Sequence, residues 1–177
     1  MILQVNRNNR NTISGLRTTV KKLYSASDLV SIYGAHVFCG SEEDVVSHFL
    51  FNHNWSGHSL HILFHCITID FEDIKEIAQV DYLTKEILYL LSVQFQVVVG
   101  ILFSNNHYRA VFLINGVSLD GRTAFHDCNR TFLCLLEDLR VLTGECIAVE
   151  FAGNVLFKNI DRNRENYISN YQGGCNR

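Results

Sequence analysis

Two runs of β-branched and aliphatic residues meet at a pair of asparagines. They are Gln96-Val-Val-Val-Gly-Ile-Leu-Phe-Ser104, then Asn105-Asn106, then His107-Tyr-Arg-Ala-Val-Phe-Leu-Ile-Asn115. Such runs favour extended backbone, and Ser-Asn-Asn is a turn signal. Residues 96–118 are therefore expected to form a hairpin whose second strand is buried. Strand side chains alternate, so positions 107, 109 and 111 share one face. That face opens with a histidine, and the run closes on Asn115. Three histidines there would make a metal site, but the chain carries His107, Arg109 and Val111.

The rest of the chain alternates with this hairpin. Leu16, Val20 and Leu23 fall at helical spacing within 14–24. Ser41-Glu-Glu-Asp44 resembles a capping box with acidic residues in the first turn, leading a helix to about His53 with Val45, Phe49 and Leu50 inward. Leu60 to Phe71 reads as a long strand, and 76–92 as a helix with Ile77, Val80, Ile87 and Leu91 near one face. Asp120-Gly121 marks a tight turn from which 122–125 could pair back. A last helix is expected at about 128–143, with Asp127 as its N-cap and Gly144 as its stop, followed by a strand at 146–151. This order predicts an α+β fold, a mainly antiparallel central sheet with helices packed on it.

The chain has 177 residues and no proline, which argues against domains joined by Pro-rich linkers. We divide it into a polar, basic segment at 1–13, mobile or an edge strand, a domain at 14–157 and a polar tail at 158–177. Arg7, Arg10, Arg17, Lys21 and Lys22 put five cations and no carboxylate in the first 22 residues, while the whole chain carries −3. An acidic body with basic ends can still meet a phosphate backbone locally. The six cysteines form no C-x-x-C pair, so a zinc knuckle or a thioredoxin-like motif has no support, and free thiols packed as small apolar residues are expected. No run of about 18 apolar residues occurs, so no membrane partner is expected. The N-terminus lacks signal-peptide features, which predicts a cytoplasmic protein.

Four blocks, in order, resemble the plasmid relaxases, the mobilisation nucleases of the HUH endonuclease superfamily. His65-Cys-Ile-Thr-Ile-Asp-Phe71 is similar to the family's His-x-Phe-Ile-x-Ser-Phe strand, and a helix follows it. The hairpin 96–115 fits, without a gap, a Gln-Val-Val-Val strand, an acidic turn and His-x-His-x-His-x-x-x-Asn. Val117-Ser-Leu-Asp-Gly-Arg-Thr-Ala-Phe-His126 resembles Val-Asn-x-x-Thr-Gly-Lys-x-Phe-His. The resemblance covers about 14–151 and implies a relaxase-like sheet, a relative of the ferredoxin-like folds. It also implies tyrosine-dependent nicking of one DNA strand at a transfer origin, with a divalent metal, Mg or Mn, polarising the phosphate.

This chain departs from that pattern where the chemistry is done. A guanidinium stays protonated and valine has no lone pair, so His107 alone remains as a vestigial metal ligand. Such sites use about three protein ligands, so no cofactor is expected unless the family site is retained. The family's nucleophile position falls near Lys22, leaving Tyr24, two residues on, as the candidate tyrosine. Asn115 and His126 match motif positions. The reading is of a relaxase-like protein without nicking activity. It could still bind single-stranded or origin DNA through Arg109, Lys21, Lys22 and Arg17, or a relaxosome partner. One alternative is a non-catalytic homodimeric interaction module without DNA binding, its old cleft filled by Leu102, Val111 and Phe112. The other is an active nickase with unorthodox ligands. His58, His61 and His65 are expected to be solvent-facing or hydrogen-bonded, and Trp55 to pack a loop on the core.

Overall fold

The computed structural model describes residues 2–6, 8–56, 62–72, 74–126, 134, 135, 137, 138, 140, 141, 148–151, 154 and 155. The hairpin forms as its composition requires. Strands Phe95–Ser104 and His107–Ser118 pair antiparallel, with Ser104 opposite His107. Asn105 and Asn106 both take left-handed backbone, φ 50° and 61°. That two-residue turn matches the twist of the flanking strands, and asparagine tolerates it better than most residues.

In chain order the elements are β1 (Ile2–Asn6), α1 (Ile13–Tyr24), β2 (Leu29–Ala35), α2 (Glu42–Trp55), β3 (Phe64–Phe71), α3 (Ile77–Ser92), β4 and β5 (the hairpin), β6 (Ala148–Phe151) and β7 (Asn154–Val155). The sheet runs β2-β4-β5-β3-β1-β6-β7. Its first five strands are antiparallel, and β6 adds to β1 in parallel. The α+β architecture with a mainly antiparallel sheet is thus present. Among the described residues, no helix is long and apolar enough to cross a membrane.

Strand alternation builds a core on each face. Ile67, Ile69, Phe71, Val97, Val99, Ile101, Ala110, Phe112 and Ile114 meet Val80, Leu83, Ile87 and Leu91 of α3. From the other face Cys66, Val98 and Leu113 meet Leu16, Val20 and Leu23 of α1 and Val45, Val46 and Phe49 of α2. Both N-terminal helices are capped. Thr12 Oγ1 accepts from Gly15 N at 2.9 Å, and Ser41 Oγ accepts from Asp44 N at 3.2 Å. Each such cap satisfies a backbone donor that the helix leaves orphaned.

Several placements differ from the sequence reading. Residues 2–6, expected to be mobile or an edge strand, form an interior strand between β3 and β6. The whole of β2 was unforeseen. Trp55 ends α2 with 66% of its surface exposed, and Ile77 is exposed where an inward position was expected. The return of 122–125 is one bridge, Val117 to Ala124, past Gly121 at φ 70°. Cys134, Leu135, Glu137, Asp138, Arg140 and Val141 are helical within the last predicted helix. The remainder of that helix, its two end signals, His58, His61 and the tail 158–177 lie outside the described residues. Of the cysteines, Cys39, Cys66 and Cys134 are free thiols, and burial pushes that of Cys66 up to about 11.

A buried amide network ties these layers together. Asn115 Nδ2 donates to the Phe49 carbonyl of α2 at 3.1 Å and to Gln96 Oε1 of β4 at 2.8 Å. Its Oδ1 accepts from Val117 N at 3.2 Å. Gln96 Nε2 donates to the His36 carbonyl at 3.2 Å, and Asn52 Nδ2 to the Ser118 carbonyl at 3.2 Å. Beside Asn115, any Cβ on Gly116 would stand 2.1 Å from the Ile62 carbonyl oxygen, so only glycine admits the 62–63 segment there. Asn115→Ala strands several buried polar groups at once. It is expected to cost about 2–4 kcal/mol in urea denaturation.

Candidate functional site

The face predicted from alternation exists. His107, Arg109, Val111, Leu113 and Asn115 share one parity on β5, and Val111 and Leu113 lie in the core that contacts α1 and α2. The flanking strands then decide what Arg109 meets. Arg109 lies opposite Asp70 on β3 and Leu102 on β4, while Val111 lies opposite Thr68 and Gly100. Arg109 Nε donates to Asp70 Oδ1 at 2.6 Å. His107 Nε2 stands 3.6 Å from the same oxygen. The Asp70 side chain is 7% exposed and that of Arg109 40%, so a buried carboxylate holds a half-exposed guanidinium. The pair is made through Nε alone, and the Nη nitrogens have no acceptor among the described residues.

Sequence reasoning missed Asp70. A signal was present: the strand block that resembles His-x-Phe-Ile-x-Ser-Phe has Asp70 at the serine position. The departures at 70 and 109 are therefore partners in one ion pair. His107 and Asp70 offer one imidazole and one carboxylate, and a cation already stands on that carboxylate. This donor set does not fit a divalent metal held by about three protein ligands. Among the described residues, no group of three His, Cys, Asp or Glu side chains could hold one.

Helix α1 ends on the same face. A Cβ on Gly100 would stand 2.6 Å from Leu23 Cδ1, so glycine lets the last turn of α1 seat directly on β4. Gly100 is two residues along the strand from Leu102, the partner of Arg109. That turn carries Lys21 and Lys22, both exposed. Arg17 lies a turn earlier and makes a fork to Glu43, at 2.5 and 3.0 Å. This exposed pair raises the guanidinium and holds the Glu43 carboxyl below the usual range, chiefly through the hydrogen bond.

Tyr24 is partly buried and packs against the α1/α2 core. Its hydroxyl donates to the Cys39 carbonyl at 3.1 Å. Burial above all, then Cys39 and the carboxylates of Asp44 and Glu42, push the phenol up from its ordinary range. An attacking phenolate needs the opposite shift. His126 is exposed, and its neighbour Phe125 is the buried member of the block, with its ring 4.8 Å from that of His65 and 5.2 Å from that of Phe95. His65 is buried, not solvent-facing. Asn115 is a structural joint. Phe112, expected among the residues filling an old cleft, points into the α3 core, whereas Val111 and Leu102 pack on the α1/α2 side.

Fold and site together define an α+β sheet protein with a carboxylate-anchored arginine beside the turn of its central hairpin. No family model, curated protein or solved structure matches the chain.

Two outcomes follow from this geometry. Arg109→Gln leaves a buried carboxylate unpaired and is expected to cost about 1–3 kcal/mol, most of it recovered in Asp70→Asn/Arg109→Gln, by urea denaturation of a double-mutant cycle. A phenol raised on folding is kept protonated by the native state. Tyr24 thus favours the fold fully below its unfolded value of 10.0, and that contribution is lost as pH rises through its folded value. Above pH about 10 the wild type should lose stability more steeply than Tyr24→Phe, measured as midpoint against pH.

Proposed function

We propose that this chain is a relaxase-like protein of a mobile genetic element that no longer nicks DNA. It acts in the cytoplasm and binds single-stranded or origin DNA, or a relaxosome partner, through the face shared by α1 and β5. The observation that carries this reading is the Asp70–Arg109 pair, a fixed cation on the strand face where the resembled family keeps its metal. The four blocks in order support the family. The tethered, raised phenol of Tyr24 speaks against a tyrosine nucleophile. Exposed Lys21 and Lys22 at the end of α1 supply backbone contacts, with Arg17 reserved largely for Glu43.

The test is fluorescence anisotropy with single-stranded, origin-like DNA across a salt series. Binding should weaken steeply with salt, and incubation with Mg2+ or Mn2+ should yield neither cleavage nor a covalent adduct. A metal-dependent adduct abolished by Tyr24→Phe would make the chain an active nickase instead. Absence of binding at low salt would remove the DNA reading and favour the interaction module. One observation speaks for that second reading: Phe51 and Trp55, four residues apart on α2, are largely exposed. It requires a stable dimer by light scattering and no affinity for nucleic acid.

A further inference from the structure

We infer that Asp70, Arg109 and His107 form a metal-free phosphate-binding site, in which the guanidinium supplies the cation. The inference deepens the DNA reading above by naming the group recognised, and rests on that reading only for what carries the phosphate. An arginine on a surface usually has to be immobilised before it can bind. Here the nearly buried Asp70 carboxylate has done this, through a 2.6 Å bond to Nε. Because that bond uses Nε, the guanidinium keeps its terminal Nη donors without an acceptor among the described residues. A planar fork of this kind suits two oxygens of one phosphate and gives charge-assisted hydrogen bonds that a point charge does not reproduce.

The neighbours are of mixed sign. His107 is one step along the same strand face and 24% exposed; its Nδ1 lies 3.4 Å from the Asn105 carbonyl, so any donor to an anion must be Nε2, which also stands 3.6 Å from Asp70. Lys75 Nζ donates to the Asn106 carbonyl at 3.1 Å, which sets a second cation at the hairpin tip. Glu72, Asp73 and Glu76 surround Lys75 in the chain, so the weight falls on Arg109. Its own counter-charge, Asp70, is satisfied from the Nε side. Exposed Lys21 and Lys22 lie in the last turn of α1, whose Leu23 seats over Gly100 of β4.

The experiment titrates the full chain with inorganic phosphate and with a short labelled oligothymidylate, each in EDTA. Wild type is compared with Asp70→Asn/Arg109→Gln, which removes the pair without leaving a buried charge, and with Arg109→Lys. Melting curves establish that each variant is folded, and Arg109→Lys carries the test if the paired variant is not. Oligothymidylate binding should be insensitive to EDTA. The paired variant should bind about tenfold more weakly, with the slope of log affinity against log salt reduced by about one. Arg109→Lys should recover only part of the loss. Wild-type affinity in the folded variants, or binding that vanishes in EDTA and returns with Mn2+, would overturn the site while leaving DNA binding intact. Phosphate bound through Arg109 with the oligothymidylate ignored at low salt would uphold the site and end the DNA reading. If neither probe binds, both fall.

Discussion

The carboxamide of Asn115 is the buried joint on which the architecture depends. It sits at 0% exposure where β5, β4 and α2 converge, and uses both ends, donating to Phe49 and Gln96 and accepting from Val117. In a low-dielectric interior such a network is stiff when satisfied and costly when broken. It holds α2 against the sheet, and Gln96 passes the constraint on to the end of β2 through His36. Helix α1 then packs on α2 and β4, and this brings its basic last turn beside the hairpin strands. The polar turn end of the hairpin lies on the same strand as this amide, toward its opposite end.

That turn end is a place where the alternation of β5 changes character. Toward Leu113 the face is apolar core; toward His107 it carries a guanidinium and an imidazole around one carboxylate. Arginine and aspartate at facing positions neutralise each other, so the strand can bury Asp70 without an uncompensated charge. A guanidinium keeps donors in reserve when its Nε is engaged.

Periodicity made much of the fold legible. The hairpin, helices α1 to α3 and the alternation at 107, 109 and 111 follow from local spacing, which reflects the backbone repeat. The strands β1 and β2 were harder to read for identifiable reasons. Ile2–Asn6 is short and runs into an Asn/Arg-rich stretch, so its composition resembles a loop although β3 and β6 flank it. Leu29–Ala35 is half-buried, interrupted by Ser31 and Gly34, and irregular between Leu29 and Ser31, which erases a clean alternation. Trp55 looked like core material by residue type, yet it follows the last buried position of α2, Asn52, and remains in solvent. Of the candidate site, His107 and Arg109 were legible and Asp70 was not. Asn115 was legible as a position, but its work as a joint depends on partners distant in sequence.

The sequence by itself determined that positions 107, 109 and 111 share a face and that this face lacks the imidazoles a metal would need. Side-chain alternation and the chemistry of arginine and valine are local properties that no partner can alter. Only the tertiary structure decided what Arg109 does there. Asp70 lies 39 residues away and reaches it because both cores set the register of β3 against β5. A shift of one residue would have sent Asp70 to the opposite face and left the guanidinium without its anchor.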